Sequence, residues 1–287
     1  MSFAIMTPGT GFALGAMLCF GIGDLIYKRA AAAGCPSRQF IMMQAWVYCP
    51  AVTLYAWLTG TLHLTSAALW GAAAGVFSLS GFYNFVRSLQ DGAVSTNAPI
   101  FRLNFIITAA LAIALLGETL MPAKSIALLC ALVAVWLLLA ERGGGNTRST
   151  AASLVRVGIA TISLGLANLL LKIGLQHGGL PETLVSAQAW SFSSLATLFA
   201  FLPERKLTLS SITIRYSAPA AVVLVTAFVL LAHGLAQGPA SVLVPIAQMS
   251  FVFTALLGAV LFREPLNARK VLGLLIAAAA LVLFAVS

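Results

Sequence analysis

The feature that most constrains this chain is a succession of ten apolar runs, each close to the roughly 20 residues that a helix needs to cross a hydrocarbon core. They lie near residues 10–28, 40–59, 67–87, 94–117, 123–141, 155–173, 183–203, 216–236, 240–262 and 268–286. Short breaks separate them, such as Gly34-Cys35-Pro36, Asp91-Gly92, Met121-Pro122 and Gly178-Gly179-Leu180-Pro181. Only 8 % of the 287 residues are charged. A soluble domain carries about 25 %, so this chain cannot coat a water-facing globule. That excludes a cytosolic enzyme, a DNA-binding domain and a disordered tail. Four cysteines (Cys19, Cys35, Cys49, Cys130) in or beside apolar runs do not make a disulfide scaffold. No run alternates as the strands of a membrane barrel do. The expected class is an all-α integral membrane protein of ten transmembrane helices. The first run lacks the basic flank and cleavage site of a signal peptide, so it is counted in the mature chain.

The net charge of +9 does not point to nucleic acid, because Lys and Arg are scattered between apolar runs and not gathered on one face. They do separate by side. With the amino terminus on side A, 14 of the 16 fall on side B, and only Lys124 and Lys172 on side A. Basic loops stay in the cytoplasm. The expected placement is a bacterial inner membrane, with side B cytoplasmic and both termini periplasmic.

Glu141-Arg142-Gly143-Gly144-Gly145-Asn146-Thr147-Arg148 is a polar, Gly-rich linker at the middle of the chain. It divides a first repeat (1–141) from a second (155–287), with 142–154 between them. Shifted by 144, Gly21 meets Gly165, Lys28 meets Lys172, Gly34 meets Gly178, Gln44 meets Gln188 and Trp46 meets Trp190. Shifted by 146, Pro99 meets Pro245, Phe105 meets Phe251, Thr108 meets Thr254 and Glu118 meets Glu264. These residue types do not match by chance at constant offset, and the chain reads as a duplication. Five spans is an odd number, so the second copy enters the membrane inverted. Two inverted halves can exchange shapes, which is the geometry of alternating access around a midplane site.

A ten-span chain duplicated five plus five, with Gly117-Glu118 and Arg263-Glu264 ending its fourth and ninth spans, resembles the drug/metabolite transporter superfamily and within it the EamA family. The resemblance covers the whole chain. It implies a carrier, and its nearest likeness is to exporters of aromatic and other neutral amino acids. It also implies cytoplasmic termini, against the charge count, which is retained here.

Polar residues within spans are the candidates for function. Asp24 is the only carboxylate well inside a span, and Arg102 lies at similar depth in the fourth. They are expected to pair, with their repeat counterparts Asn168 and Gln248 forming an amide pair. Arg102 could also hold a substrate carboxylate, or Asp24 a coupling proton. Asn97, Phe101, Asn104, Phe105 and Thr108 share one helical face. That polar–aromatic stripe suits an amphipathic solute, with Ser250, Tyr83 and Asn84 beside it. Pro99 and Pro245 interrupt two spans at equivalent places and are read as hinges. Gln44, Trp46, Gln188, Trp190 and His233 form a second tier. The site is expected between spans one, three, four, six, eight and nine.

Other classes fare worse. No phosphate loop and no nucleophile–base or metal-ligand grouping is present, so neither an enzyme nor a cofactor or metal is expected. A channel would draw its symmetry from an oligomer. The expected protein is a monomeric secondary carrier that exports a small organic metabolite, an amino acid first. The alternative is proton-coupled multidrug efflux. Its partners would be the solute and the lipid bilayer, and no nucleic acid.

Overall fold

A computed structural model describes residues 8–91, 97, 100–119, 121–139, 151–202, 209–253 and 268–286. Among the described residues there are ten main helices and no strand. They are α1 (Pro8–Ala32), α2 (Ser37–Leu58), α3 (Ala68–Asp91), α4 (Asn104–Leu116), α5 (Pro122–Leu139), α6 (Ala151–Gln176), α7 (Pro181–Phe201), α8 (Ser211–Gln237), α9 (Ala240–Gln248) and α10 (Ala268–Val286). By length and apolarity α1, α2, α6, α7 and α8 can each cross a membrane. Four stretches, Ile100–Leu116, Pro122–Leu137, Ala240–Phe253 and Val271–Phe284, are apolar but shorter. α3 is long enough, and the polar residues Ser78, Ser80, Tyr83 and Asn84 lower its apolarity.

The two halves pack as the repeat requires. Exchanging α1 with α6, α2 with α7, α3 with α8, α4 with α9 and α5 with α10 turns each main helix contact into another one. Thus α3 packs on α6 as α8 packs on α1, and α3 on α7 as α8 on α2. The contact of α1 with α9 mirrors that of α6 with α4, while α2–α7, α4–α9 and α5–α10 map onto themselves.

Local chemistry repeats as well. α1 and α6 end in matching turns, with Gly34 and Gly178 at φ of 71° and 81°. That left-handed conformation favours glycine. Cys35 N–H closes on Ala30 O at 3.1 Å and Gly179 N–H on Gly174 O at 3.0 Å. Across the α2–α7 seam, Trp46 Nε1 donates to Thr197 Oγ1 and Trp190 Nε1 to Thr53 Oγ1, both at 2.8 Å. Thr53 and Thr197 are themselves 144 residues apart, so these are one bond made twice. The two tryptophans are therefore inter-repeat ties as well as membrane-facing residues.

Spans four and nine break at equivalent places. The helical ladder is interrupted at Leu103 (ψ −2°) and at Met249 (ψ 13°), 146 residues apart. Leu103 N–H falls back to Ile100 O at 3.0 Å, and Met249 N–H reaches Ile246 O at 3.2 Å as well as Pro245 O at 3.1 Å. Pro245 lies within α9, four residues before the break, and α9 runs through it. The bend is thus at Met249 and not at the proline, and Pro99 lies outside the described residues. Gly165 lets α6 meet the first break closely: a Cβ there would sit 2.6 Å from Ile107 Cβ and 3.0 Å from Asn104 O. Gly21 does the same at the second break, against Phe253 and Ser250 O.

Gly117 (φ 65°) stops α4 and sends Glu118 across the molecule. The Glu118 carboxylate accepts from Ala240 N–H at 2.9 Å and Ser241 N–H at 2.8 Å, the first turn of α9. Lys172 Nζ donates to Leu235 O at 2.8 Å and Gly238 O at 2.7 Å, the last turn of α8. The α8–α9 hairpin is held at both dipole ends by charges of the right sign. Replacing Glu118 by alanine is expected to lower unfolding stability by about 1–2 kcal/mol, read by equilibrium unfolding in mixed micelles. No change would remove Glu118 as a cap.

Candidate functional site

Asp24 and Arg102 are joined, at 13 % and 5 % side-chain exposure. Arg102 Nη1 also donates to Gln248 Oε1 at 2.8 Å. Asn104 Nδ2 donates to that same oxygen at 3.2 Å, and Asn168 Nδ2 donates to Asn104 Oδ1 at 3.3 Å. One network therefore ties α1, the first broken span, α6 and α9 together. The expected Asn168–Gln248 pair is bridged by Asn104 instead. Asn104 also donates to Phe101 O at 2.8 Å, a carbonyl beside the break at Leu103.

The span-four stripe is packed against protein. Phe101, Asn104, Phe105 and Thr108 are 0–1 % exposed. Phe101 stacks on Phe85 at 4.0 Å. Thr108 donates to Gly165 O at 3.1 Å. Asn97 donates to Ser88 O and Ser153 Oγ, both at 2.7 Å. Tyr83 packs edge-on against Phe199 at 4.7 Å, and Asn84 donates to Ser80 O at 2.8 Å within its own helix. Ser250 is fully buried behind the second break.

Among the described residues, a cavity lies elsewhere. A small space, about 20 Å³, is lined by Gln44 and Tyr48 of α2, Ser78 and Phe82 of α3, Gln188 and Phe192 of α7, and Leu224 and Phe228 of α8. Each helix contributes from near its midpoint. The eight residues are four repeat pairs: 44 with 188 and 48 with 192 at offset 144, 78 with 224 and 82 with 228 at offset 146. The cavity thus sits on the axis relating the halves. Its lining differs from the one expected for the solute site. Spans two and seven line it with three and eight, whereas Asp24, Tyr83, Asn84, Asn97, Phe101, Arg102, Asn104, Phe105, Asn168, Gln248 and Ser250 are not in its wall.

The walls are mainly aromatic. Phe82 meets Phe228 at 6.1 Å and Phe192 at 6.3 Å, and Tyr48 meets Phe228 at 6.2 Å, all edge-on. The polar groups differ where the repeats differ. Gln188 Nε2 donates to Ser78 Oγ at 2.7 Å. The counterpart of Ser78 is Leu224, which cannot accept, and Gln44 instead takes Tyr27 OH on its Oε1 at 2.7 Å. Gln188 is left with a free acceptor, and its Oε1 and Tyr48 Oη are buried without hydrogen-bond partners. Gln44 keeps its amide donor. Among the described residues the lining carries no charge.

Sequence reasoning missed one further group. Glu182, 5 % exposed, accepts from His233 Nε2 at 2.9 Å. Asp24 is therefore not the only well-buried carboxylate. The position of Glu182 beside Pro181 makes it read as a loop residue. His233, expected at a span end, stacks on Phe12 at 5.4 Å.

No curated protein matches the chain. A solved structure described only as "Crystal structure of protein" is similar to it, with a TM-score of 0.77 at 17 % identity, over 98 % of this chain and 97 % of that one. At that identity the likeness speaks for the fold. The sequence model of the EamA-like transporter family matches twice, at residues 7–140 and 152–286, so the duplicated halves seen in the packing are each a copy of that family's unit. The chain is a multi-pass membrane transporter and belongs to the EamA-like transporter family.

Proposed function

We propose that the axial cavity is the solute site of a secondary carrier, and that its solute is an amino acid with a large apolar side chain. The observation that carries this reading is the pair of orphaned polar atoms, Tyr48 Oη and Gln188 Oε1, within aromatic walls. A buried polar atom without a partner costs about 1–3 kcal/mol, and a solute that supplies the partner removes that cost. Gln188 Oε1 can accept from an ammonium. Gln44 Nε2 and Tyr48 Oη can donate to a carboxylate. Phe82, Phe192, Phe228 and Leu224 would surround the side chain. The enclosed space is about 20 Å³, room for about one water, so the walls must part for the solute to enter.

Multidrug cation efflux fits less well, because no carboxylate faces the cavity. Asp24 is committed to Arg102, so flux would follow the solute's own gradient, outward when the cytoplasm is loaded. Two inverted halves rocking about the axis would expose the cavity to each side in turn. The charge count supports a cytoplasmic side B, and the reading sets the carrier in the inner membrane of a bacterium.

Uptake of labelled aromatic, branched and cationic solutes into proteoliposomes tests the reading. Saturable uptake of aromatic amino acids is expected. Gln188→Leu should lower it roughly 10- to 100-fold, as for a lost hydrogen bond to a charged group, and Tyr48→Phe should also lower it. Folded variants with unchanged uptake would refute the cavity as the site.

A further inference from the structure

We propose that Glu182 and His233 form a proton-binding latch over the side-A end of the axial cavity. Glu182 lies six residues before Gln188 on α7, and His233 five residues after Phe228 on α8. Both are thus roughly 8 Å along their helix from the cavity wall, toward the same end. Their bond ties α7 to α8, and Phe12 of α1 stacks on the imidazole from the other side. Parting α8 from α7 at this end, which opens the cavity to side A, must break that bond.

The pair is built to hold a proton. Glu182 is in the first turn of α7, where the helix dipole favours a carboxylate. His233 is 28 % exposed on its side chain, while Glu182 is nearly sealed. A protonated imidazole makes a charge-assisted bond to the carboxylate, stronger than the neutral one. Among the described residues, the other titratable groups near this end are engaged elsewhere or exposed, and Lys124 is on α5, which packs mainly on α10. Lys172 of α6 is bound to Leu235 O and Gly238 O, and Glu118 to the α9 amides. His177 packs on Trp70 at the start of α3 and bonds Ile173 O. Tyr55 of α2 is exposed, and His63 meets α7 through its backbone, which donates to Thr183 Oγ1 at 3.2 Å.

Among the described residues the opposite end shows no such carboxylate–histidine pair. The repeat counterparts of Glu182, His233 and Phe12 are Arg38, Arg87 and Arg156. Three cations cannot bond one another, so the equivalent positions of the first repeat cannot form this latch. Acid on side A closes that mouth, and loss of the histidine proton releases it.

The latch rests on the carrier reading, and a solute-independent measurement separates them. Leu224→Cys, in a chain freed of native cysteines, places a thiol in the cavity wall. Thr59→Cys, exposed on side A, reports orientation and intrinsic thiol reactivity. Labelling by a membrane-impermeant methanethiosulfonate is followed in proteoliposomes. The ratio of the two rates is expected to fall about tenfold as the pH drops from about 8 to 5, the range of histidine. His233→Gln and Glu182→Gln should each flatten it. A flat ratio with the native pair overturns the latch without any variant at these two positions, and an unchanged slope in either variant overturns it too. Solute uptake that fails while the slope holds counts against the carrier reading alone.

Discussion

Replacing Arg102 by alanine is expected to cost about 3–5 kcal/mol of stability, because it leaves the Asp24 carboxylate buried without its cation. It also strips Gln248 Oε1 of one of its two donors. Asp24→Asn with Arg102→Gln is expected to cost only about 1 kcal/mol, since neutral hydrogen bonds of that size replace the ion pair. The second repeat supplies the reason. At the equivalent positions it already carries Asn168 and Gln248, held by amide bonds in the same scaffold. The double variant writes the second half's chemistry into the first. Equilibrium unfolding of the wild type, Asp24→Asn, Arg102→Gln and the double variant closes a double-mutant cycle, in which contacting residues should show clear coupling. Strictly additive single effects would show that the pair does not act as a unit.

That network also shows where the sequence was legible. Repeat offsets of 144 and 146, found from glycines, prolines and glutamines, predict which helices exchange. The observed contacts follow them, down to the breaks at Leu103 and Met249. Asp24 and Arg102 were identified as partners because a charge in hydrocarbon requires one.

The cavity was harder to place. Helical spacing shows that Asn97, Phe101 and Asn104 share a face, but not what that face meets. In the fold it meets α3, α6 and α9, as it must beside a broken span whose carbonyls need donors. A usable signal did exist for Gln44 and Gln188. Tyr48 and Phe192 lie one turn on at the same offset, so each helix offers an amide–aromatic face to the axis. Ser78 and Leu224 break the symmetry at one position, and that difference decides which glutamine atom is left free. Glu182 is not legible in the sequence because its partner, His233 of α8, lies far away along the chain.

Gly75→Ala is expected to abolish uptake and to lower stability by about 1–3 kcal/mol or more. A Cβ at Gly75 would run into the Gln188 carbonyl and Ser191 Oγ, well inside van der Waals contact, and one at Gly71 would meet Leu184 O. The obstacle is backbone of the facing helix, so no rotamer change on α7 removes it. α7 must move away from α3 instead. That movement stretches the bond from Ser191 Oγ to Ala72 O, now 2.7 Å, and the bond from Gln188 Nε2 to Ser78 Oγ, also 2.7 Å. Gln188 then loses the partner that fixes its amide in the cavity. Gly158 of α6 supplies the control, because a Cβ there meets nothing within 4 Å. Gly158→Ala should leave uptake intact and add up to about 1 kcal/mol of helix propensity. If the two substitutions behave alike in uptake and unfolding, close α3–α7 packing is not what holds the cavity in shape.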